Sequence, residues 1–348
     1  MKSPHARRAA ALLSGFAVTG MFVTALAGHP FGTASALKTE KSTQTAANEK
    51  DAPEPVQPSV TERGEGEGFA TAVSKAVYGN TDIESTQVVL GKRDWLFYIS
   101  PEDGNPLADY IGEERFSQDQ KMQAASALTE LADFFGSRNQ VFAAMFIPNK
   151  SSVYPELMPD AAVRVSDCSR GQDLVDFIRD HTGVCLINES PSFMEARKDR
   201  QIYYSTDTHF NQIGNFTACM DLLQSLGLPA QPLSSVKFQE TSTRWAGDLA
   251  LMCSVEDQFA QDTYYEFQPD SVAPNAKNHK KLLLIGDSFA SQMTPILKNY
   301  FNEVNFVNIL EYTPEMLDQH EADYVVWETC ERYAKRFFEQ SLLNCAAP

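Results

Sequence analysis

The sequence predicts a three-layer α/β/α fold built on a parallel sheet of about five strands. Three observations carry that expectation. Uninterrupted apolar runs, such as VFAAMFI at 141–147 and KKLLLI at 280–285, have the pattern of strands buried on both faces. Segments of helical length alternate with these runs. Hydrophobic residues make up 43% of the chain and charged residues 22%, with 22 Phe and 12 Tyr, enough to fill a large core.

Taken in order, Phe69, Val73 and Val77 fall at helical spacing. Residues 87–99, QVVLGKRDWLFYI, read as two short strands around Gly91-Lys92-Arg93-Asp94. Residues 117–138 read as a helix, 141–147 as a strand, 169–181 as a helix and 184–187 as a buried strand. A helix over 212–226 ends at Gly227. The strand at 280–285 feeds a helix over 289–301, and 304–310 reads as a strand. A short helix at 314–319, a strand at 324–327 and a last helix over 331–343 complete the series.

The chain is 348 residues long, which allows one large domain or two of ordinary size, and the pattern places one domain at 69–348 behind two different leading segments. In residues 1–36, Lys2, Arg7 and Arg8 precede an apolar stretch from Ala9 to about Gly28, and no acidic residue occurs before Glu40. That is the pattern of an export signal, and the stretch is long enough to span a bilayer. Ala25-Leu26-Ala27 and Ala34-Ser35-Ala36 both fit cleavage sites, so anchor and cleaved signal both stand. Residues 37–68 are rich in Thr, Ala, Glu, Pro and Gly without an aromatic residue, the composition of a disordered tether. The reading is of an exported protein, secreted or held at the outer face of the membrane.

Lys and Arg total 29 against 46 Asp and Glu, a net charge of −17, which excludes a nucleic-acid binder that needs a basic footprint. Cys168, Cys185, Cys219, Cys253, Cys330 and Cys345 lie in the exported part, where disulfides form. Their pairing stays open among 15 connectivities. Cys330 with Cys345 is disfavoured, because a helix between them would hold them about 22 Å apart. No CxxC spacing occurs, so no zinc site is expected.

In a parallel α/β sheet, ligands bind beyond the carboxyl ends of the strands. That singles out Pro148-Asn149-Lys150, Asn188-Glu189, Gly286-Asp287-Ser288, Tyr312 and Glu328. Gly286-Asp287-Ser288-Phe289 follows a buried strand and opens a helix, which exposes a serine hydroxyl and its own N–H at the sheet edge. The plainer reading is a helix cap. A nucleophilic serine needs a base, and the base a carboxylate. Thr206-Asp207-Thr208-His209-Phe210-Asn211 supplies both, two residues apart, though direct contact between Asp207 and His209 needs a bend. For this segment the plainer reading is a loop or core histidine.

The order DTHFNQIG, then GDSF after a hydrophobic strand, resembles the SGNH-hydrolase-like proteins that O-acetylate bacterial exopolysaccharides, the alginate acetylation proteins among them. VVLGKRDWLFY, IPNKSSVYPE, WAGDLA and VVWETCERY follow in the family's order, and the resemblance spans about residues 86–340. The opening motif differs, with Asp94 where the family usually has Gly, and Phe210 replaces a frequent Trp. The resemblance implies an SGNH-hydrolase-like, flavodoxin-like fold with permuted motif order. It implies Ser288 as nucleophile, His209 as base and Asp207 as its partner, with no cofactor and no metal. It implies transfer of acetyl to a polysaccharide acceptor, with a multi-span membrane O-acyltransferase as donor. A carbohydrate esterase using the same residues is the alternative, and Ser288→Ala retaining full function would point to a non-catalytic binding protein. A metal hydrolase is a distant rival, since no third ligand stands at a recognisable spacing from Asp207 and His209. Phe289, Lys150, Tyr154 and Arg332 are the candidates for the oxyanion or the substrate. Each has a plainer reading, Tyr154 as core, Lys150 as a solvated loop residue, and Arg332 paired with Glu328 one turn away.

Overall fold

The computed structural model describes residues 85–343. The segments 1–36 and 37–68, the helical spacing at Phe69 and Cys345 lie outside the described residues. Among the described residues no helix is long and apolar enough to cross a membrane.

Nine strands occur in these residues: β1 (Val88–Leu90), β2 (Leu96–Tyr98), β3 (Val141–Ile147), β4 (Cys185–Asn188), β5 (Phe238–Trp245), β6 (Asp262–Phe267), β7 (Lys281–Gly286), β8 (Glu303–Asn308) and β9 (Tyr324–Cys330). The four longest helices are α1 (Gln118–Ser137), α2 (Arg170–His181), α3 (Gln212–Ser225) and α4 (Ser288–Leu297). Ser117 starts α1 with a capping box, accepting from the Gln120 N–H at 3.2 Å while its own N–H reaches the Gln120 side chain at 2.8 Å.

The central sheet is parallel throughout, in the order β4-β3-β9-β7-β8. Counted from β7 as the first strand, it reads 2-1-3-4-5 from the β8 edge, the flavodoxin order. The motif order expected to be permuted is therefore matched by a permuted strand order. In that count the crevice where strand order reverses lies between β7 and β9, at the end from which Ser288 emerges.

Side chains alternate across the sheet with period two. Met145, Leu284 and Val326 pack with α3 and α4 on one face. Phe146, Ile285 and Trp327 pack with α1 and α2 on the other. Each face thus has its own core, which gives the three layers.

Three differences from the sequence reading stand out. The last helix over 331–343 does not form. A 3-10 turn, Glu331–Tyr333, and a four-residue helix, Arg336–Glu339, replace it. Buried polar anchors override the helical spacing there. Glu331 accepts the Asn149 N–H at 2.7 Å and the Ser169 hydroxyl, and Arg336 is buried against Asp287 at 3.6 Å. The helix invoked against a Cys330–Cys345 pair is therefore absent.

The five described cysteines are all free thiols, against the disulfides expected. They sit on separate elements, and Cys219 and Cys330 fill the core as small apolar groups. The antiparallel β5–β6 pair, whose strands are joined through two short helices, is not legible in the sequence, because residues 239–244 (QETSTR) carry no apolar alternation.

The opening motif forms the β1–β2 hairpin as expected, with Arg93 at φ 56° and Asp94 at φ 60°. Asp94 occupies a left-handed conformation that costs an L-residue about 1 kcal/mol, offset in part by the extra freedom of glycine in the unfolded chain. Its side chain is exposed. Asp94→Gly is expected to raise stability by up to about 1 kcal/mol, read as a higher midpoint in thermal unfolding.

Candidate active site

The segment from Tyr203 to Phe210 folds back on itself. Tyr203 and Phe210 form an isolated antiparallel bridge, and the Tyr204 N–H donates to the His209 carbonyl at 3.2 Å. The turn between them is held from three sides. Asp262 at the start of β6 accepts the Ser205 N–H and hydroxyl, each at 2.7 Å, and the Thr206 N–H and hydroxyl. The buried Lys150 ammonium donates to the carbonyls of Tyr204, Ser205 and Asp207 at 3.1, 3.1 and 2.7 Å. The Gly247 N–H donates to the Thr206 hydroxyl at 2.9 Å.

Asp207 supplies the bend that its contact with His209 requires. Its Oδ1 accepts the His209 N–H at 2.9 Å and lies 2.7 Å from His209 Nδ1. His209 Nε2 lies 2.7 Å from Ser288 Oγ. Ser288 is the first residue of α4, where backbone N–H groups have no intrahelical acceptor.

The turn that carries Ser288 is fixed from β9. Buried Glu328 accepts the Asp287 N–H at 3.0 Å, and Asp287 Oδ2 accepts the Cys330 N–H at 3.3 Å. Gly286 makes room for this, since a Cβ there would stand 2.5 Å from Glu328 Oε2. Burial drives the Glu328 carboxyl well above its usual pKa, and the charge of Asp287 adds to that.

Two carboxylates stand behind the imidazole. Asp248, in the short helix Asp248–Met252, lies 3.7 Å from His209 Nδ1 through Oδ2, and its N–H donates to Asp207 Oδ2 at 2.9 Å. Its carboxylate accepts the Thr208 N–H at 2.7 Å and hydroxyl at 2.5 Å. Burial, then the charge of Asp207, pushes Asp248 up to about 6. Burial also opposes the charge on Asp207, but its bonds from His209 and from the Asp248 N–H outweigh that and hold its pKa below the ordinary value. For His209, burial acts downward, while the hydrogen bond and charge of Asp207, with Asp248 behind, win and raise the pKa.

Asp248 stands within WAGDLA, where the sequence alone gives it no role. Only the fold shows its approach to His209. It also supplies the third ligand that sequence spacing did not reveal, since metal-binding atoms of Asp207, His209 and Asp248 lie within 4.8 Å of one another. Those same atoms are engaged with His209, Thr208 and the Asp248 N–H, which suits a proton relay.

The four further candidates separate. The Phe289 N–H donates to Asp287 Oδ1 at 3.0 Å, so it is not free for an oxyanion, and its buried ring lies 4.8 Å from that of His209. Lys150 is neither solvated nor directed at a ligand but holds the loop, and burial lowers its pKa to about 8. Tyr154 is core, its hydroxyl accepting the Ile202 N–H at 2.9 Å. Arg332 borders a small cleft with Tyr98, Asn149, Lys150 and Thr208, keeps its Nε without a hydrogen-bond partner, and packs by Tyr98, Phe289 and Tyr333. The Glu328 expected to pair with it serves Asp287 instead.

Serine, histidine and aspartate thus stand in contact at the carboxyl edge of a parallel sheet, the arrangement of groups that acyl-group transfer requires. A family model described as SGNH hydrolase-like domain, acetyltransferase AlgX, matches residues 88–331, and the chain belongs to that family. Among solved structures, Bacillus cereus PatB1 shares 12% identity over 71% of this chain and 96% of its own, with a TM-score of 0.54. A DHHW family protein from Eubacterium siraeum shares 18% over 74% of this chain and 95% of its own, at 0.53. The O-acetyltransferase domain of Pseudomonas putida AlgJ shares 19% over 71% and 92%, at 0.46. At such identities the first two are likenesses of fold. No curated protein matches.

If His209 accepts a proton, its raised pKa places the acid limb of kcat/KM above the ordinary imidazole value. Activity is then lost as pH falls through that pKa, because the protonated ring cannot take the Ser288 proton. Asp248→Asn removes one of the charges that raise it, so the limb is expected to move to lower pH, read in a pH–rate profile.

Proposed function

We propose that this protein transfers an acetyl group, through an acetyl ester on Ser288, to hydroxyls of an extracellular or cell-wall polysaccharide. The observation that carries this is the pair of 2.7 Å contacts joining Asp207, His209 and Ser288. Family membership points to acetyl transfer in particular.

In the first half-reaction, His209 Nε2 takes the Ser288 hydroxyl proton as Oγ attacks the acetyl carbonyl. Asp207 holds the imidazolium. The Ser288 N–H, at the positive end of α4, faces the developing oxyanion, with Arg332 as the side-chain donor. The tetrahedral adduct collapses, the donor's leaving group takes the proton from His209, and acetyl-Ser288 remains. In the second half, His209 takes a proton from a sugar hydroxyl, whose oxygen attacks the acetyl-serine. Collapse returns the proton to Ser288 Oγ and leaves the acetyl on the sugar.

We place the reaction outside the cytoplasmic membrane, with residues 1–36 as signal or anchor and 37–68 as tether. On this reading the acetyl group is delivered through a multi-span membrane O-acyltransferase.

The test incubates the full chain with a chromogenic acetyl ester and candidate glycans. Acetyl found on Ser288 by mass and then on a glycan supports transfer. Acetate release with no glycan modified selects the esterase. Activity abolished by a chelator and restored by metal selects the metal hydrolase at Asp207, His209 and Asp248.

A further inference from the structure

The two arginines that follow β9 have different surroundings. Arg336 is buried with the Asp287 carboxylate 3.6 Å away. Arg332, which borders the cleft beside Thr208, has no carboxylate within ion-pair distance among the described residues. Its guanidinium carbon lies instead 4.8 Å from the ring of Tyr333, 5.7 Å from that of Tyr98 and 6.0 Å from that of Phe289. Ring faces attract a cation without neutralising it.

Two of those rings are tied down by one residue. Asp103 Oδ2 accepts the Tyr98 hydroxyl at 2.9 Å, and Oδ1 accepts the Tyr333 hydroxyl at 2.5 Å. Tyr333 also shares a side-chain hydrogen bond with Arg332, for which a hydroxyl that donates to Asp103 keeps its lone pairs. Burial pushes Tyr98 up to about 12 and raises Tyr333 as well, so both hydroxyls stay donors at neutral pH. The next residue closes on the backbone of Arg332. Gly104 has φ 75°, and a Cβ there would lie 2.5 Å from the Arg332 carbonyl oxygen and 2.9 Å from Arg332 Cβ. Asp103 itself makes none of the contacts that join Asp207, His209 and Ser288.

A guanidinium held between rings and kept from any carboxylate retains its charge for a negative group that forms during the reaction. We infer that Asp103 is a positioning residue, which through Tyr98 and Tyr333 holds the Arg332 guanidinium where the oxyanion develops on the acetyl carbonyl at Ser288. This rests on the acetyl-transfer reading of the same site.

The test measures kcat and KM of the full chain on a chromogenic acetyl ester. Arg332→Met is expected to lower kcat roughly 10^2-fold, the loss of one oxyanion donor. Asp103→Ala is expected to lower kcat about tenfold with KM unchanged, because the oxyanion exists only after attack. Asp103→Ala combined with Arg332→Met is expected to be no slower than Arg332→Met alone, since a residue that acts through Arg332 has nothing left to position. Normal kcat in Asp103→Ala, a loss confined to KM, or a double variant in which the two losses multiply overturns the assignment. If denaturant midpoints show that Asp103→Ala does not fold, Tyr333→Phe decides by the same comparison, because it keeps the ring and removes only the hydroxyl between Asp103 and Arg332. Acetyl on Ser288 is followed separately by mass. Acetylation of Ser288 with normal turnover in Arg332→Met defeats the positioning role alone, whereas turnover that survives in Ser288→Ala defeats the catalytic reading and the positioning role with it.

Discussion

Ser288→Ala is expected to remove acetyl-group chemistry, lowering kcat on an acetyl ester by on the order of 10^4-fold or more. The hydroxyl is the only atom removed, and its 2.7 Å contact with His209 Nε2 is the one contact of the relay that it makes. The fold has little stake in it. Ser288 stands at the first position of α4, the cap is supplied by Asp287, and the core contacts of that turn come from Phe289 and Ala290. Denaturant midpoints for the two proteins are therefore expected to agree while the acetyl adduct seen by mass disappears. A variant that still released acetate near the original rate would remove Ser288 from the mechanism.

The second large effect comes from a residue with no chemistry of its own. A Cβ at Gly247 would lie 2.3 Å from Asp207 Cβ, 2.6 Å from the Thr206 carbonyl oxygen and 2.7 Å from Asp207 Cα. Two of those three atoms are backbone, so no side-chain rotation relieves the clash. The Gly247 backbone is ordinary, with φ −83°, so the constraint is space alone. Gly247→Ala must push the Asp207 turn away from the Gly247–Asp248 segment, breaking the Gly247 N–H bond to Thr206 and the Asp248 N–H bond to Asp207. A displacement of about 1 Å at a catalytic group costs roughly 10^2-fold in rate. The expectation is a fall in kcat of at least that order. Gly247→Ser should fall as far, and activity near normal in both would show that the turn does not need its present position.

Much of this arrangement is legible in the chain, but unevenly. The central strands announce themselves because each is a continuous apolar run, buried on both faces. Ser288 is marked by a strand-to-helix turn. The Asp207–His209 spacing suggests a pair, yet the bend that joins them comes from Asp207 binding the N–H of His209, which no periodicity reveals. Asp262 and Lys150 lie 54 residues or more from the residues they hold, Asp262 to the C-terminal side of the turn and Lys150 to its N-terminal side, and nothing local links either to it. The stretch 239–244 that leads to Trp245 and Asp248 is polar throughout, so its pattern reads as loop. The false helix after β9 has the opposite cause. Its spacing is helical, but Glu331 and Arg336 are drawn inward to buried polar partners.

β9 has a central place in the sheet and a late place in the chain. It pairs with β3 on one side and β7 on the other, and its contacts with β3 join residues roughly 180 positions apart, the kind of long-range pairing that slows folding. Until residues beyond 324 are available, no strand covers the edges of β3 and β7 that β9 pairs with. Such edges are templates for mispairing with other chains. The same late strand brings Glu328 and the Cys330 N–H to the turn at Asp287. Ser288 thus precedes in the chain the strand whose arrival fixes the turn that carries it.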